Sequence, residues 1–265
     1  MTILSNQSDF TLTGISGLDK LLDRGIPKGH VISIFGGPGA GKTTFAMQFL
    51  IKGAKLYDEP GLYVSLDESI DDIRNNMKPF GWDFETLEKN KQLSFLDASF
   101  FKRMSDVMSV PERLFTESEK DQRKYNVRQL GNLLRESIEE LDAQRIVLDP
   151  LSALTFQYPD PNERRLAVID LISALRTKKT CTSLIVMDLR TTTLEREYQI
   201  EEFLTQGTIV LQTLNQPETG LTRICLIEKM RGVEHDSQPH LYSITSQGIE
   251  IFPTEKIYLS YPPRG

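Results

Sequence analysis

The chain has 265 residues, enough for one large α/β domain or two small ones, and its 31 basic and 37 acidic residues give a formal charge of −6. This acidic balance disfavours a protein that wraps nucleic acid, and no apolar run approaches the roughly 20 residues that span a membrane. Cys181 and Cys225 lie in apolar runs, and no signal-peptide pattern opens the chain. We therefore expect a cytoplasmic protein without disulfides and without a membrane partner.

Short apolar runs alternate with helical patterns along most of the chain. Strands are predicted at HVISIFG, GLYVSLD, QLSFLDAS, RIVLD and SLIVMD. Helices are predicted over residues 43–56, 127–141 and 166–175, with Asn126 as the N-cap of the second. This alternation is typical of a mainly parallel sheet with helices on both faces.

After Thr205 the pattern changes to consecutive strands, GTIVLQTL, LTRICLIEK and HLYSITSQGIEIF. Turn signals separate them, which predicts an antiparallel extension at one edge of the sheet. Residues 102–124 combine mixed charge with weak periodicity. We interpret that segment as a surface insertion or mobile loop.

A glycine-rich loop, residues 36–44 with the sequence GGPGAGKTT, lies between a predicted strand and a predicted helix. It contains the spacing G-x-x-x-x-G-K-[ST], whose backbone N–H groups surround phosphates at the start of a helix. Lys42 is expected to reach the β- and γ-oxygens of ATP, and Thr43 to offer its hydroxyl to Mg²⁺. The residues predicted to bind the nucleotide here are Gly37, Pro38, Gly39, Ala40, Gly41, Lys42, Thr43 and Thr44.

A second magnesium ligand is expected at the end of a neighbouring strand. Asp149 in RIVLDP and Asp188 in SLIVMD are both candidates, and either is also compatible with an ordinary strand-end aspartate. Chain order favours Asp149, because a strand bearing another acid lies between it and the loop. Asp188 then falls on the next strand, where a polar residue could sense the γ-phosphate.

Asp67 and Glu68 in YVSLDES lie where a predicted strand ends, at the edge where open α/β sheets bind ligands. Hydrolysis needs a carboxylate that orients and deprotonates the attacking water. Only one of two adjacent strand residues can face that water, unless the strand has already ended. The segment DESIDDI also resembles a helix start enriched in acids.

Two cations end the strand in CLIEKMRGVEH. Lys229 and Arg231 are two residues apart, so on a strand they project together toward an anion. The alternative is a solvated strand end, the usual place for surface cations.

Several segments together resemble the KaiC-type branch of RecA-like ATPases over residues 13–252. They are TGISGLDKLLDRGIPKG, GGPGAGKTT, YVSLDES, FGWD, LSFLDAS, RIVLDPLSAL, EEFLTQGTIVL and EKMRG. The resemblance implies an α/β fold of the RecA-like P-loop NTPase type, with an N-terminal tail at 1–12 and a single domain at 13–265. It also implies a homo-oligomeric ring, usually a hexamer, with ATP and Mg²⁺ at the subunit interfaces.

In that family the cations matching Lys229 and Arg231 approach the γ-phosphate of ATP bound to the adjacent subunit. His235 matches a family position at the same interface. The resemblance therefore implies a catalytic set of Glu68, Asp67, Lys42, Arg231 and Lys229. An arginine supplied in this way accelerates hydrolysis by about 10³- to 10⁵-fold in the best-studied cases.

The chain departs from the family at three places. The shorter Asp67 stands where two glutamates are common, which predicts slow hydrolysis. Glu202 and Phe203 replace the Ser–Thr pair of the autokinase half of clock KaiC, so self-phosphorylation there is not expected. Asp188 and Arg190 replace the usual Thr–Glu residues.

The predicted function is a slow ATPase that acts in signalling or regulation through an unidentified protein partner. One alternative is an ATP-binding regulatory scaffold with negligible hydrolysis. Another is a recombinase-like DNA-handling ATPase, which the acidic charge and the lack of a basic, aromatic-interleaved stretch disfavour.

Overall fold

A computed structural model describes residues 9–99, 117–156, 158, 160–189, 198–216 and 220–256. The strands are β1 (Phe10–Thr11), β2 (Ile26–Pro27), β3 (Val31–Gly36), β4 (Gly61–Ser65), β5 (Leu93–Asp97), β6 (Arg145–Asp149), β7 (Thr182–Asp188), β8 (Gly207–Gln216), β9 (Gly220–Met230), β10 (His240–Thr245) and β11 (Gly248–Lys256). The helices are α1 (Leu18–Leu21), α2 (Lys42–Tyr57), α3 (Ile70–Met77), α4 (Phe84–Lys89), α5 (Glu117–Leu141), α6 (Ser152–Thr155), α7 (Pro161–Leu175) and α8 (Ile200–Leu204). A 3₁₀ turn covers Lys78–Phe80.

Nine of these strands form one sheet with the order β11-β10-β9-β8-β3-β7-β6-β4-β5. The strands from β5 to β8 in this order pair in parallel, and β8, β9, β10 and β11 pair antiparallel. The predicted α/β fold with a C-terminal antiparallel extension is therefore confirmed. β8, however, joins the parallel part through β3, and the antiparallel extension begins only at β9.

The hydrophobic core has two parts, one on each face of the sheet. In β3, Ile32 and Ile34 belong to the part that contains α1 and α2, whereas Val31 and Phe35 belong to the part that contains α5 and α7. This division follows from the two-residue period of a strand, which sends successive side chains to opposite faces. A strand buried on both faces reads as a continuous apolar run, as VISIF does.

Charged side chains also lie in the interior, and the largest of them is Arg145. Arg145 in β6 is fully buried, with its Nε atom donating to Glu59 Oε2 at 2.7 Å. The guanidinium also donates to the carbonyl oxygens of Phe49 at 2.8 Å and Leu12 at 2.7 Å. A Cβ at Gly53 would lie 2.3 Å from this side chain, so α2 needs glycine there. Arg145 thereby joins the N-terminal segment, α2 and β6.

Helix α5 corrects two predictions. It begins at Glu117, so Asn126 lies inside it and is not its N-cap, and residues 117–124 are helical instead of a loop. The residues from 117 to 126, which precede the predicted helix, are rich in Glu, Lys, Gln and Arg. These residue types favour a helix but do not give the regular spacing of apolar residues on which the prediction relied. Residues 102–116 of the predicted insertion lie outside the described residues. Neither α5 nor any other described helix is long and apolar enough to cross a membrane.

Candidate active site

The glycine-rich loop connects the end of β3 to the start of α2, as predicted. Gly39 and Gly41 have φ angles of 73° and 82°, in the left-handed region that residues with a Cβ rarely adopt. At Gly41 a Cβ would also approach Ile244 Cδ1 to 2.7 Å. Pro38 and Gly39 are exposed, Ala40 and Thr44 are buried, and Gly37 is half-buried. The loop thus places backbone N–H groups at the positive end of a 16-residue helix, an anion-binding arrangement.

Lys42, the first residue of α2, directs its side chain back over this loop. Its Nζ atom donates to the carbonyl oxygens of Gly36 at 2.9 Å and Gly37 at 3.2 Å. It also forms an ion pair with Oδ1 of Asp188 at 3.0 Å, and its side chain is only 12% exposed. The ammonium group therefore lies at the mouth of the loop.

Asp149 ends β6 beside the first turn of α2. Its Oδ2 atom accepts a 2.7 Å hydrogen bond from the Tyr63 hydroxyl, and the Thr43 hydroxyl also bonds to this carboxylate. Burial raises the pKa of Asp149, while the bonds from Tyr63 and Thr43 and the charge of Lys42 act in the opposite direction. Burial also raises the pKa of Tyr63 well above its ordinary value.

The pairing of Thr43 with Asp149 suits Mg²⁺ in its chemistry. Both offer oxygen ligands, and Mg²⁺ at nucleotides is usually held by one or two protein groups together with phosphates and waters. In the described ranges no group of three or more His, Cys, Asp or Glu side chains is placed to hold a metal. An all-protein metal cage is therefore not formed by these residues, whereas a shared site with phosphate oxygens fits them.

The acid pair Asp67 and Glu68 lies just beyond β4, which ends at Ser65. Both side chains are exposed in a bend, so strand alternation does not decide which of them faces the loop. Ser69 is the N-cap of α3, where its hydroxyl accepts from the N–H of Asp72 at 3.2 Å. The helix-start interpretation of DESIDDI is therefore correct for the residues that follow the pair.

Two hydrogen bonds restrict the position of Glu68. The Ser65 hydroxyl donates to its carbonyl oxygen at 2.5 Å, and the Asn76 amide donates to its Oε2 atom at 3.3 Å. Burial is the largest cause of the raised pKa of Asp149, and the negative charge of Glu68 adds to it. Ser65 pairs in register with Asp149, so Glu68, three residues beyond Ser65, follows the same end of the sheet at which Asp149 lies.

Lys229 and Arg231 lie at the end of β9 but differ in their surroundings. The Lys229 ammonium donates to the carbonyl oxygens of Glu202 and, at 2.8 Å, of Thr205, at the end of α8. Burial, followed by the charge of Arg231, lowers the pKa of Lys229. Arg231 follows the strand and is exposed. Its backbone N–H donates to the backbone carbonyl oxygen of Gln206 at 2.9 Å. The Lys229 ammonium is thus bonded within its own chain, whereas Arg231 is exposed beyond the end of the strand.

A register shift lies in β9 just before Lys229, whereas Arg231 lies beyond the last residue of the strand, Met230. Thr208 pairs with Lys229, but the next residue, Ile209, pairs with Ile227, so β9 carries an extra residue at this point. Such a bulge interrupts the alternation of side chains along a strand.

The cations and the glycine-rich loop lie at opposite edges of the sheet. Gly36, beside the loop, is in register with Asp188, whereas Ile32 pairs with Gly207, which pairs with Met230. Four residues of β3 separate these positions, about 13 Å along the strand. We refer to the end of the sheet formed by the carboxyl ends of the parallel strands, where the loop lies, as the carboxyl edge. The end formed by their amino ends is the amino edge.

The predicted site residues therefore form two groups. Lys42, Thr43, Asp149, Asp67 and Glu68 lie at the carboxyl edge. Lys229 and Arg231 lie at the amino edge. His235 follows them in the same connection before β10, with its Nδ1 atom 3.4 Å from the Val233 carbonyl oxygen.

Three supporting hydroxyl groups were not anticipated from the sequence. Tyr63 donates to Asp149, Tyr242 in β10 donates to the Ala40 carbonyl oxygen at 2.6 Å, and Ser152 donates to Oδ2 of Asp188 at 2.5 Å. Tyr63 and Tyr242 read as ordinary strand tyrosines. The only available signal was that Tyr63 lies in a predicted strand next to the strand that ends at Asp149, the predicted magnesium ligand.

Comparison with known proteins identifies the family. The model of the family described as "ATPase: KaiC" matches residues 11–256 of this chain. The chain belongs to the KaiC family of ATPases. The resemblance found from its segments is confirmed, and the family implies that the glycine-rich loop binds a nucleotide.

The relatives include single-unit KaiC-like proteins and the larger clock proteins. The chain is 32% identical to a UPF0273 protein of Thermotoga maritima over 243 residues, which cover 92% of this chain and 96% of that protein. It is 29% identical to the circadian clock oscillator protein KaiC of Parathermosynechococcus lividus over 248 residues, 94% of this chain but 43% of the clock protein. The crystal structure of a KaiC-like protein from Pyrococcus horikoshii superposes with a TM-score of 0.74 at 30% identity, covering 92% and 99% of the two chains.

Proposed function

We propose that this protein is a slow, magnesium-dependent ATPase whose subunits form a ring, usually of six, with ATP held between neighbours. The ring passes its nucleotide state to a signalling or regulatory partner in the cytoplasm. The single domain at 13–265 supplies both sides of each site. The observation that carries the proposal is the separation of the glycine-rich loop from Arg231, which lie at opposite edges of one sheet.

Nucleotide binding is assigned to the carboxyl edge. The N–H groups of the loop and the start of α2 surround the phosphates, and Lys42 neutralises part of their charge. Thr43 and Asp149 would hold Mg²⁺, which supplies further charge neutralisation at the β- and γ-phosphates when it is bound.

Hydrolysis is assigned to Glu68 as the group that orients the attacking water and accepts its proton, with Asp67 as the alternative base. Ser65 donates to the backbone carbonyl oxygen of Glu68 and Asn76 donates to its carboxylate, so both restrict the position of this residue beyond the end of β4. Slow turnover is expected because both acids are exposed to solvent and because Asp67 is shorter than the family's usual glutamate.

The neighbouring subunit completes the site. Within one chain, Arg231 and the loop lie at opposite ends of β3, and the four residues of β3 between these ends span about 13 Å. In a head-to-tail ring, however, the amino edge of one subunit meets the carboxyl edge of the next. Arg231, with His235 beside it, then reaches the γ-phosphate of the neighbour's ATP and stabilises the charge that develops in the transition state.

A mixing experiment tests this arrangement. The double variant Asp67→Asn/Glu68→Gln keeps Arg231 but lacks both candidate bases. Arg231→Ala keeps the bases but lacks the arginine that reaches the neighbour's γ-phosphate, called the finger below. Each alone should release phosphate at a small fraction of the wild-type rate. In an equal mixture, about a quarter of the interfaces join an intact base to an intact finger, so about a quarter of the wild-type rate should return.

The matched control mixes Arg231→Ala with a double variant that also carries Arg231→Ala, and it should restore nothing. If the first mixture stays as inactive as its components, Arg231 does not act across an interface. If Arg231→Ala alone retains the wild-type rate, the finger role is lost altogether.

A regulatory scaffold with negligible hydrolysis is the second candidate, favoured by the exposure of both acids. Steady-state phosphate release separates the two functions. A wild-type rate equal to that of the Asp67→Asn/Glu68→Gln variant supports the scaffold, whereas a clearly higher rate supports the enzyme. A recombinase-like activity would require salt-dependent retention of the protein on single-stranded DNA.

A further inference from the structure

The ammonium group of Lys42 is fully engaged within its own chain. Its partners are the carbonyl oxygens of Gly36 and Gly37, at 2.9 and 3.2 Å, and Oδ1 of Asp188, at 3.0 Å. A lysine ammonium group has three N–H donors and no acceptor. A phosphate oxygen that binds Lys42 must therefore displace one of these partners, and Asp188 is the partner that carries a negative charge.

Asp188 is held in this position from three sides. Its backbone pairs in register with Gly36 across β7 and β3. The Ser152 hydroxyl donates to its second carboxylate oxygen at 2.5 Å, and the Gln199 amide donates to its carbonyl oxygen at 3.2 Å. The carboxylate therefore stays beside the loop when Lys42 changes partner.

Asp188 differs from Asp149 in its bonding. Asp149 is buried and accepts from Thr43 and Tyr63, the arrangement that suits the metal. Asp188 is half exposed and bonds to Lys42 and Ser152. Two strand-end carboxylates beside one loop thus have different partners, and only Asp188 holds the phosphate-binding lysine.

We infer that Asp188 competes with the nucleotide for Lys42 and thereby favours magnesium-bound ATP over free ATP. When Lys42 turns to the phosphates, Asp188 remains next to them as an uncompensated negative charge, which repels the nucleotide. Free ATP carries more negative charge than its magnesium complex, so the repulsion acts more strongly on the free form. The inference rests on the proposed function, since it takes the loop to be the nucleotide site.

Titration of the wild type and of Asp188→Asn with ATP, in excess Mg²⁺ and in EDTA, tests this inference. Asparagine keeps the shape and one acceptor oxygen for Lys42, and its NH2 group can donate to the Ser152 hydroxyl, but the charge is removed. The Kd for metal-free ATP should fall about two- to fivefold, the range expected for one partly exposed ion pair. The gain with Mg²⁺ should be smaller, and both gains should shrink as salt concentration rises.

The matched control is Asp142→Asn, which removes the charge from another Asp–Lys pair, with Lys178, before β6. It should leave both Kd values unchanged. A second variant, Asp188→Ser, should reproduce the gain of Asp188→Asn, and thermal unfolding without nucleotide should show that both variants are folded.

The outcomes separate this inference from the proposed function. Wild-type protein that binds no ATP in either condition overturns the proposed function. Wild-type protein that binds ATP, together with an Asp188→Asn variant of unchanged or equally improved affinity in Mg²⁺ and EDTA, overturns only the inference. A loss of magnesium-ATP binding in Asp188→Asn also overturns it, because Asp188 would then support the metal.

Discussion

At the scale of single residues, Asp149 is a buried carboxylate whose ionisation opposes folding. Its side chain lies in the interior at the end of β6, and burial raises its pKa. Hydrogen bonds from Tyr63 and Thr43 replace only part of the lost hydration. An ionised carboxylate held in this way lowers the free energy of unfolding at neutral pH, and its charge is useful only beside a cation.

Replacing Asp149 by Asn should therefore raise the thermal stability at neutral pH. Because the folded-state pKa lies above that of the unfolded chain, the protonated group favours folding at low pH, and this contribution is lost as pH rises through the folded-state pKa. The Tm of Asp149→Asn should exceed that of the wild type at pH 7 and match it below the ordinary pKa of 3.8. Magnesium-ATP binding should weaken by at least about tenfold.

Thermal unfolding followed by circular dichroism from acid to neutral pH measures the effect on stability. Tyr63→Phe is the companion variant, since it keeps the charge and removes one donor, and its Tm should fall at neutral pH. An Asp149→Asn variant that is less stable than the wild type at pH 7 would show that the carboxylate is a net stabilising group.

The positions of the candidate site residues in local motifs could be predicted from the sequence, whereas the contacts between distant residues that support them could not. The glycine-rich loop and the strand-end acids are recognisable because a few consecutive residues carry the pattern. The bonds from Tyr63 to Asp149 and from Tyr242 to Ala40 join residues 86 and 202 positions apart. No local pattern specifies such contacts. The same applies to Lys229, whose direction depends on a bulge in the pairing of β8 with β9.

At the scale of secondary-structure elements, α8 connects the two groups of site residues. Gln199, its N-cap, donates to the Asp188 carbonyl oxygen at 3.2 Å, and the carbonyl oxygens at its other end accept from Lys229. A five-residue helix contributes little stability of its own, so these contacts fix its position. Lys229 therefore has a structural role in this chain that Arg231 does not share.

Lys229→Met and Arg231→Met should separate these roles. Lys229→Met leaves two carbonyl oxygens at the end of α8 without their donor, so the free energy of unfolding should fall by about 1–3 kcal/mol. Arg231→Met changes an exposed side chain, so stability should stay within about 0.5 kcal/mol of the wild type. Urea unfolding gives the stabilities, and phosphate release should fall steeply in Arg231→Met. Equal losses of stability in the two variants would contradict the structural role of Lys229.

The predictions of elements succeeded where apolar residues recur with a clear period. The strands around the loop are short β-branched runs, and each was placed to within a few residues. The start of α5 was missed because ESEKDQRKYN has no apolar stripe, although its residues favour helix. The parallel pairing of β8 with β3 was missed because strand direction is decided by the chain connection through α8, which a single strand does not reveal.

At the scale of the whole molecule, the sheet presents different chemistry at its two edges. The carboxyl edge carries the glycine-rich loop, Asp149 and Glu68, and the amino edge carries Arg231. A chain with complementary groups at opposite ends is suited to head-to-tail association. Such an association closes into a ring when a whole number of equal rotations between neighbours makes a full turn. In the proposed ring, a triphosphate neutralised by both edges would link the subunits.

Assembly should therefore depend on the nucleotide. Light scattering coupled to gel filtration should show a larger mass with ATP and Mg²⁺ than without them, because a ligand shared by two subunits stabilises their association by mass action. Lys42→Ala should remain at the smaller mass at ATP concentrations that assemble the wild type. Lys89→Ala, which removes an exposed lysine at the end of α4, is the matched control and should assemble normally.

A wild-type mass that is the same with and without ATP would exclude nucleotide-driven assembly, and a monomer under both conditions would exclude the ring. Assembly of Lys42→Ala at the wild-type ATP concentration would instead show that subunit contacts outside the phosphate site hold the ring together.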